Sequence, residues 1–184
     1  MILLTALLLA QAQVASAAGA ATASGPTTVI LVRHAEKADD GTKDPGLSDE
    51  GRTRSEALAK ALSGKALSAV IVSDTKRARD TGDLVAKEHG LTPVEVATSG
   101  GGEAHVKGVV TAIRAAPPGV VLVVGHSNTL ALIIAALGGP RVPALCEKQF
   151  APMYVLEIAD GAAPKLATKS YGAADPPGAE ACAK

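Results

Sequence analysis

Thr28-Val29-Ile30-Leu31-Val32 runs without a break into Arg33-His34-Ala35-Glu36. A short apolar run rich in β-branched residues is the pattern of a strand buried on both faces, as in a parallel sheet covered by helices. A guanidinium and an imidazole directly behind such a strand stand where open α/β sheets bind ligands, beyond the carboxyl ends of their strands.

The same alternation repeats along the chain. A polar loop runs to Gly46, and Ser48 can cap a helix from Asp49 to Leu62, with acids in its first turn and Gly64 beyond its end. Ala69-Val70-Ile71-Val72 is the second strand, followed by a helix from about Arg77 to His89 that Gly90 stops. Pro93 to Val96 is a short third strand, and Ser99-Gly100-Gly101-Gly102 is a loop. Glu103 to Ala115 is a helix ended by Pro117-Pro118, Val120 to Val124 a fourth buried strand, and Thr129 to Leu137 a helix ended by Gly138-Gly139. Tyr154 to Ile158 and Lys165 to Ser170 read as edge strands. Strands alternating with helices predict an α/β three-layer sandwich: right-handed βαβ units, a mainly parallel sheet and helices on both faces. The connections are short and no repeat is visible, so residues 28–171 form one domain.

Composition narrows the function. Lysine plus arginine number 18, as do aspartate plus glutamate, so the basic excess of a general nucleic-acid binder is missing. Aromatics are 2%, namely Phe150, Tyr154 and Tyr171, which argues against a site that stacks bases or sugars. Ile2 to Ala10 is apolar apart from Thr5, too short to span a bilayer, and Ala15-Ser16-Ala17 behind it matches an A-x-A cleavage site. Residues 1–17 are therefore expected to be a signal peptide and 18–27 a flexible leader, giving a periplasmic or secreted protein with no membrane anchor after cleavage. Cys146 and Cys182 are the two cysteines. They could bridge in an oxidising compartment, tying the Ala/Pro/Gly-rich tail at 172–184, expected to be disordered, to the domain, or stand as unrelated thiols.

Three strands end in residues suited to an anion. The first runs into Arg33-His34, the second through Ser73 towards Arg77, and the fourth into Gly125-His126-Ser127-Asn128. Helix N-termini point to the same edge and add unpaired N–H groups, and planar guanidinium forks match phosphate oxygens. Arg77 and Arg79 lie two apart on a helix and so face about 200° apart, which lets only one of them reach the pocket. Ser127 and Asn128 could donate to phosphate or cap the following helix. His89 and His105 read as surface residues, and Lys37, Asp39, Asp40 and Lys43 as a solvated loop at the pocket rim.

Leu31-Val32-Arg33-His34-Ala35-Glu36 resembles the signature of the histidine phosphatase superfamily, the phosphoglycerate mutase-like group. Leu47-Ser48-Asp49-Glu50-Gly51-Arg52, Ser73 through Thr81, and Gly125-His126-Ser127 are similar to its further segments, in family order. The resemblance implies a phosphoglycerate mutase-like fold and phosphomonoester hydrolysis through a phosphohistidine on His34. It implies that Arg33 and Arg77 bind the phosphoryl group, with Arg77 favoured over Arg79, and that His126 stabilises the transferring group. The leaving-group acid it implies is an acidic residue in mid-chain, for which Glu103 is the candidate and Glu36 the next. Ala35 stands where many members have glycine, a change tolerable unless that backbone needs positive φ.

No metal and no cofactor are expected, since positioning and charge stabilisation carry phosphoryl transfer. The partner is then a small phosphorylated substrate or a phosphoprotein, with no nucleic acid involved. Two other functions compete. One is a phosphate-binding module of the same fold without turnover. The other is a serine hydrolase using Ser127 on a nucleophile elbow, although Thr129 stands where the motif has glycine and no histidine follows Ser127.

Overall fold

The computed structural model describes residues 25–181. Its central strand is β1 (Thr27–Arg33), whose alternate residues serve two cores, as the period of two in a strand requires. Val29 and Leu31 pack with α3 (Gly101–Ala115) and α4 (Leu130–Ala136) through Val109, Ile113, Leu130 and Ile133. Ile30 and Val32 pack on the other face with α1 (Asp49–Leu62) and α2 (Lys76–Glu88) through Leu58, Leu62, Ala78 and Val85. Each such fully buried Val, Leu or Ile contributes roughly 1.5–3 kcal/mol.

Six strands form one sheet in the order β3-β2-β4-β1-β5-β6, the others being β2 (Leu67–Ser73), β3 (Val94–Val96), β4 (Gly119–Gly125), β5 (Pro152–Ile158) and β6 (Lys165–Ser170). The four strands from β3 to β1 run parallel, and β5 and β6 close the sheet antiparallel. The three-layer α/β expectation is met, with one correction. Tyr154 to Ile158 is no edge: β5 lies between β1 and β6, which explains the burial of Met153, Tyr154 and Leu156.

Local chemistry sets the element ends. Ser48 Oγ accepts from Gly51 N at 3.1 Å and caps α1, and Asp49 and Glu50 lie in the first turn, where the helix dipole favours acids. Gly90 comes after α2 with φ +64°, a conformation that costs glycine little. Behind β1, Glu36 turns back onto α1: its carboxylate takes Arg54 Nε at 2.9 and 3.0 Å, and Arg54 Nη1 donates to the carbonyls of Tyr171 and Ala173.

Residues 172–181, part of the tail expected to be disordered, are tied to the domain by Arg54 and by Asp175, whose Oδ1 accepts from Phe150 N and Ala151 N. A buried guanidinium and two backbone N–H groups of the domain hold this glycine- and alanine-rich segment without regular structure. Cys146 is disulfide-bonded. Residues 1–17, most of the leader, and Cys182 lie outside the described residues.

Candidate active site

The carboxyl ends of β1, β2 and β4 are neighbours, so the residues just past these three strands meet at one edge. His34 N donates to Gly125 O at 2.9 Å, which clamps the turn after β1 onto the end of β4. The His34 ring is held on both nitrogens. A carbonyl can only accept, so Nδ1–H donates to Ala35 O at 2.8 Å, and Nε2 keeps its lone pair. That lone pair accepts from Arg77 Nε at 3.1 Å. Ala35 fits without strain: it is buried, no non-glycine residue among those described has positive φ, and its N–H donates to Thr81 Oγ1 at 3.0 Å.

Burial pushes the His34 pKa down to about 3, helped by His126, Arg33 and Arg77. His126, just past β4, has its ring centroid 5.3 Å from that of His34 in an edge-on arrangement. Burial likewise pushes its pKa down to about 4, with Arg77, His105 and Arg33 acting in the same direction. Both rings are therefore neutral at pH 7. An unfolded histidine titrates near 6.5, so between pH 6.5 and 4 the unfolded chain takes up protons that the folded one refuses, and acidification through that window destabilises the fold. Histidine NMR titration is expected to show both rings neutral from pH 8 down to 5. A midpoint near 6.5 for either would mean that it is solvated.

Arg77 stands in the first turn of α2, with Nη1 3.3 Å from Asp44 Oδ1, and the Asp44 carboxylate also accepts from Lys76 N. Arg79 turns away to the Asp74 carbonyl and to Glu95. Arg33, expected to bind the phosphoryl group, is held largely by the protein itself. Its Nη1 donates to the carbonyls of Cys146, Glu147 and Gln149, its Nη2 to Glu147 Oε2, and its guanidinium lies 4.1 Å from the Phe150 ring centroid. Nε is buried and without a partner, and Nη2 carries a second N–H beyond its bond to Glu147. Arg33 thus lines the cleft with its charge, most of its donors being taken by the protein.

These groups border a cleft of about 550 Å³ that is also lined by Lys37, Thr75, Thr98, Ser127, Asn128 and Glu147. Neither Ser127 nor Asn128 is the N-cap of α4: that position is Thr129, whose side chain makes no bond to the helix, and Ser127 and Asn128 line the cleft.

Glu103 is not brought in. It is exposed in the first turn of α3 and absent from the cleft wall, complementing the helix dipole. Glu36 is committed to Arg54, and Asp74 to Thr98 N and Oγ1. Among the described residues Glu147 is the carboxylate on the cleft wall, and it is bound to Arg33.

Two other readings are corrected. His105 is 3% exposed, lines the cleft and sets its ring 6.0 Å from that of His126. Its spacing to Val109, four residues on, is the signal that places it on the buried face of α3. His89 is half-buried as the C-cap of α2. Ser73, in sequence only the end of a strand, is 1% exposed and holds His126 Nε2 at 2.8 Å. The rule that singles out Arg33 and His34 behind β1 also finds it at the end of β2.

Residues 29–99 match the family described as histidine phosphatase superfamily (branch 1). No curated protein matches the chain. Among solved structures it is similar to mycobacterial hydrolase 1, at 19% identity over 78% of this chain and 97% of that one, with TM-score 0.61. It is also similar to the protein histidine phosphatase SixA complexed with tungstate, at 18% identity over 78% and 96%, with TM-score 0.60. For mycobacterial glucosyl-3-phosphoglycerate phosphatase the identity is 17% over 82% and 100%, with TM-score 0.58. The sequence motifs and the family model thus agree over residues 29–99, and the described domain has the fold of these solved structures, a phosphoglycerate mutase among them.

Proposed function

We propose that the protein hydrolyses phosphomonoesters without a metal, through a phosphohistidine on His34. The observation that carries this reading is the lone pair of a buried, neutral His34 Nε2, fixed by Ala35 O on its far nitrogen and directed at Arg77. A neutral imidazole is a nucleophile, and a guanidinium in contact with it places positive charge where the equatorial phosphoryl oxygens gather negative charge. In the first step Nε2 bonds to phosphorus and the ester P–O bond breaks, the departing oxygen taking a proton. In the second, water bonds to phosphorus, the P–N bond breaks, and phosphate leaves with His34 restored.

With Glu103 outside the cleft and Glu147 held by Arg33, the proton for the leaving group comes from solvent or from the substrate itself. That favours substrates whose leaving groups are stable without strong acid assistance. Small phosphate esters and phosphorylated proteins both fit a cleft this open. The binding-module alternative differs only in lacking turnover. The Ser127 alternative is disfavoured, because an elbow holds its serine in strained backbone and no described non-glycine residue has positive φ. We assign the activity to an exported form beginning at Ala18, consistent with the disulfide at Cys146, and N-terminal sequencing of the exported chain checks that start.

The test is a rapid quench with ³²P-labelled aryl phosphate in the presence of chelator. A phosphoenzyme that is acid-labile and alkali-stable is expected. Label on serine or a carboxylate, or no label with phosphate bound but not turned over, overturns the reading.

A further inference from the structure

His126 Nε2 lies 2.8 Å from Ser73 Oγ, and Ser73 Oγ lies 3.0 Å from Thr75 Oγ1. Ser73 is buried behind the cleft wall, whereas Thr75 and His126 line the cleft. Nε2 is thus committed to the protein, and Nδ1 is the ring nitrogen left for a ligand. A neutral ring carries one N–H, and His126 is neutral at pH 7.

The chain of groups can be threaded in two ways. If Nε2–H donates to Ser73, the hydroxyl of Ser73 passes its proton towards Thr75, and Nδ1 presents a lone pair to the cleft. If Thr75 donates to Ser73 and Ser73 to Nε2, then Nδ1 presents N–H. Thr75 is free to take part, since as the N-cap of α2 it makes no side-chain bond to the helix. A phosphoryl dianion has only acceptor oxygens, so a lone pair pointed at it repels and an N–H binds.

We propose that Ser73 is a positioning residue, seconded by Thr75, that holds neutral His126 as its Nδ1–H tautomer and so makes it a hydrogen-bond donor to the phosphoryl group. This rests on the phosphate-site reading above and adds what that reading lacks: how a histidine surrounded by cations serves an anion without carrying a charge. The second histidine then contributes direction, and Arg77 the charge.

The experiment is ¹⁵N NMR of the His126 ring in the full domain, with and without inorganic phosphate, alongside the inhibition constant of phosphate. The wild type with phosphate is expected to show protonated Nδ1 and unprotonated Nε2. Ser73→Ala is expected to shift the ring towards Nε2–H and to weaken phosphate about tenfold, the effect of one hydrogen bond to a charged group. Ser73→Thr, which keeps the hydroxyl, is expected to restore both. A wild-type ring protonated at Nε2 in the phosphate complex overturns the proposal even if no variant folds. So does a Ser73→Ala protein with unchanged tautomer and unchanged affinity. Failure of phosphate to perturb either His34 or His126 in the wild type overturns the phosphate site and this proposal together, whereas the first two outcomes overturn this proposal and leave the phosphate site standing.

Discussion

His34→Ala is expected to lower kcat/KM for an aryl phosphate by roughly a thousandfold or more, to the rate of the solvent reaction, while the protein stays folded. Loss of the ring removes the only atom through which the two-step path can run, so the effect should fall on kcat and not on KM. Phosphate should still bind, because Arg77 and His126 remain. The neighbouring structure is also preserved. The two backbone bonds that clamp this turn, His34 N to Gly125 O and Ala35 N to Thr81 Oγ1, do not involve the deleted ring. Steady-state kinetics together with thermal unfolding check both halves. Turnover in the alanine variant within about tenfold of wild type would exclude a phosphohistidine at this position.

Gly51→Ala is expected to have the largest effect on stability. A Cβ at residue 51 would lie 2.1 Å from Glu36 O and 3.0 Å from Glu36 C. Both are backbone atoms, so no side-chain rotation relieves the clash, and either α1 or the turn behind β1 must move. Such overpacking costs about 3 kcal/mol, and in a domain of this size that lowers Tm by about 6–12 °C. The turn that would move begins two residues after His34, so on the proposed mechanism activity should fall even below the melting transition. Gly64→Ala is the matched control, since nothing lies within 4 Å of its added methyl. Equal melting temperatures for the two variants would show that α1 and the turn are not packed as described.

The order of the elements was legible in the sequence because buried parallel strands and capped helices write themselves in composition. Ser48, Asp49 and Gly90 marked ends that the structure reproduces. The residues behind strands one, two and four were legible for the same reason: a switch from an apolar run to Arg or His at a strand end is local. The long-range relations stayed hidden. Nothing near Tyr154 says that its strand lies against β1, because an interior antiparallel strand and an edge strand share the same alternation. Glu103 is singled out by position along the chain, but the orientation of α3 turns His105 inward and leaves Glu103 in solvent. The fate of Arg33 depends on carbonyls more than a hundred residues away, which no local pattern announces.

The link from Glu36 through Arg54 to the carbonyls of Tyr171 and Ala173 joins three distant stretches of chain through one guanidinium. Arg54 is buried, so neutralising Glu36 would strand a cation away from water and loosen the turn behind β1 and the segment after β6 together.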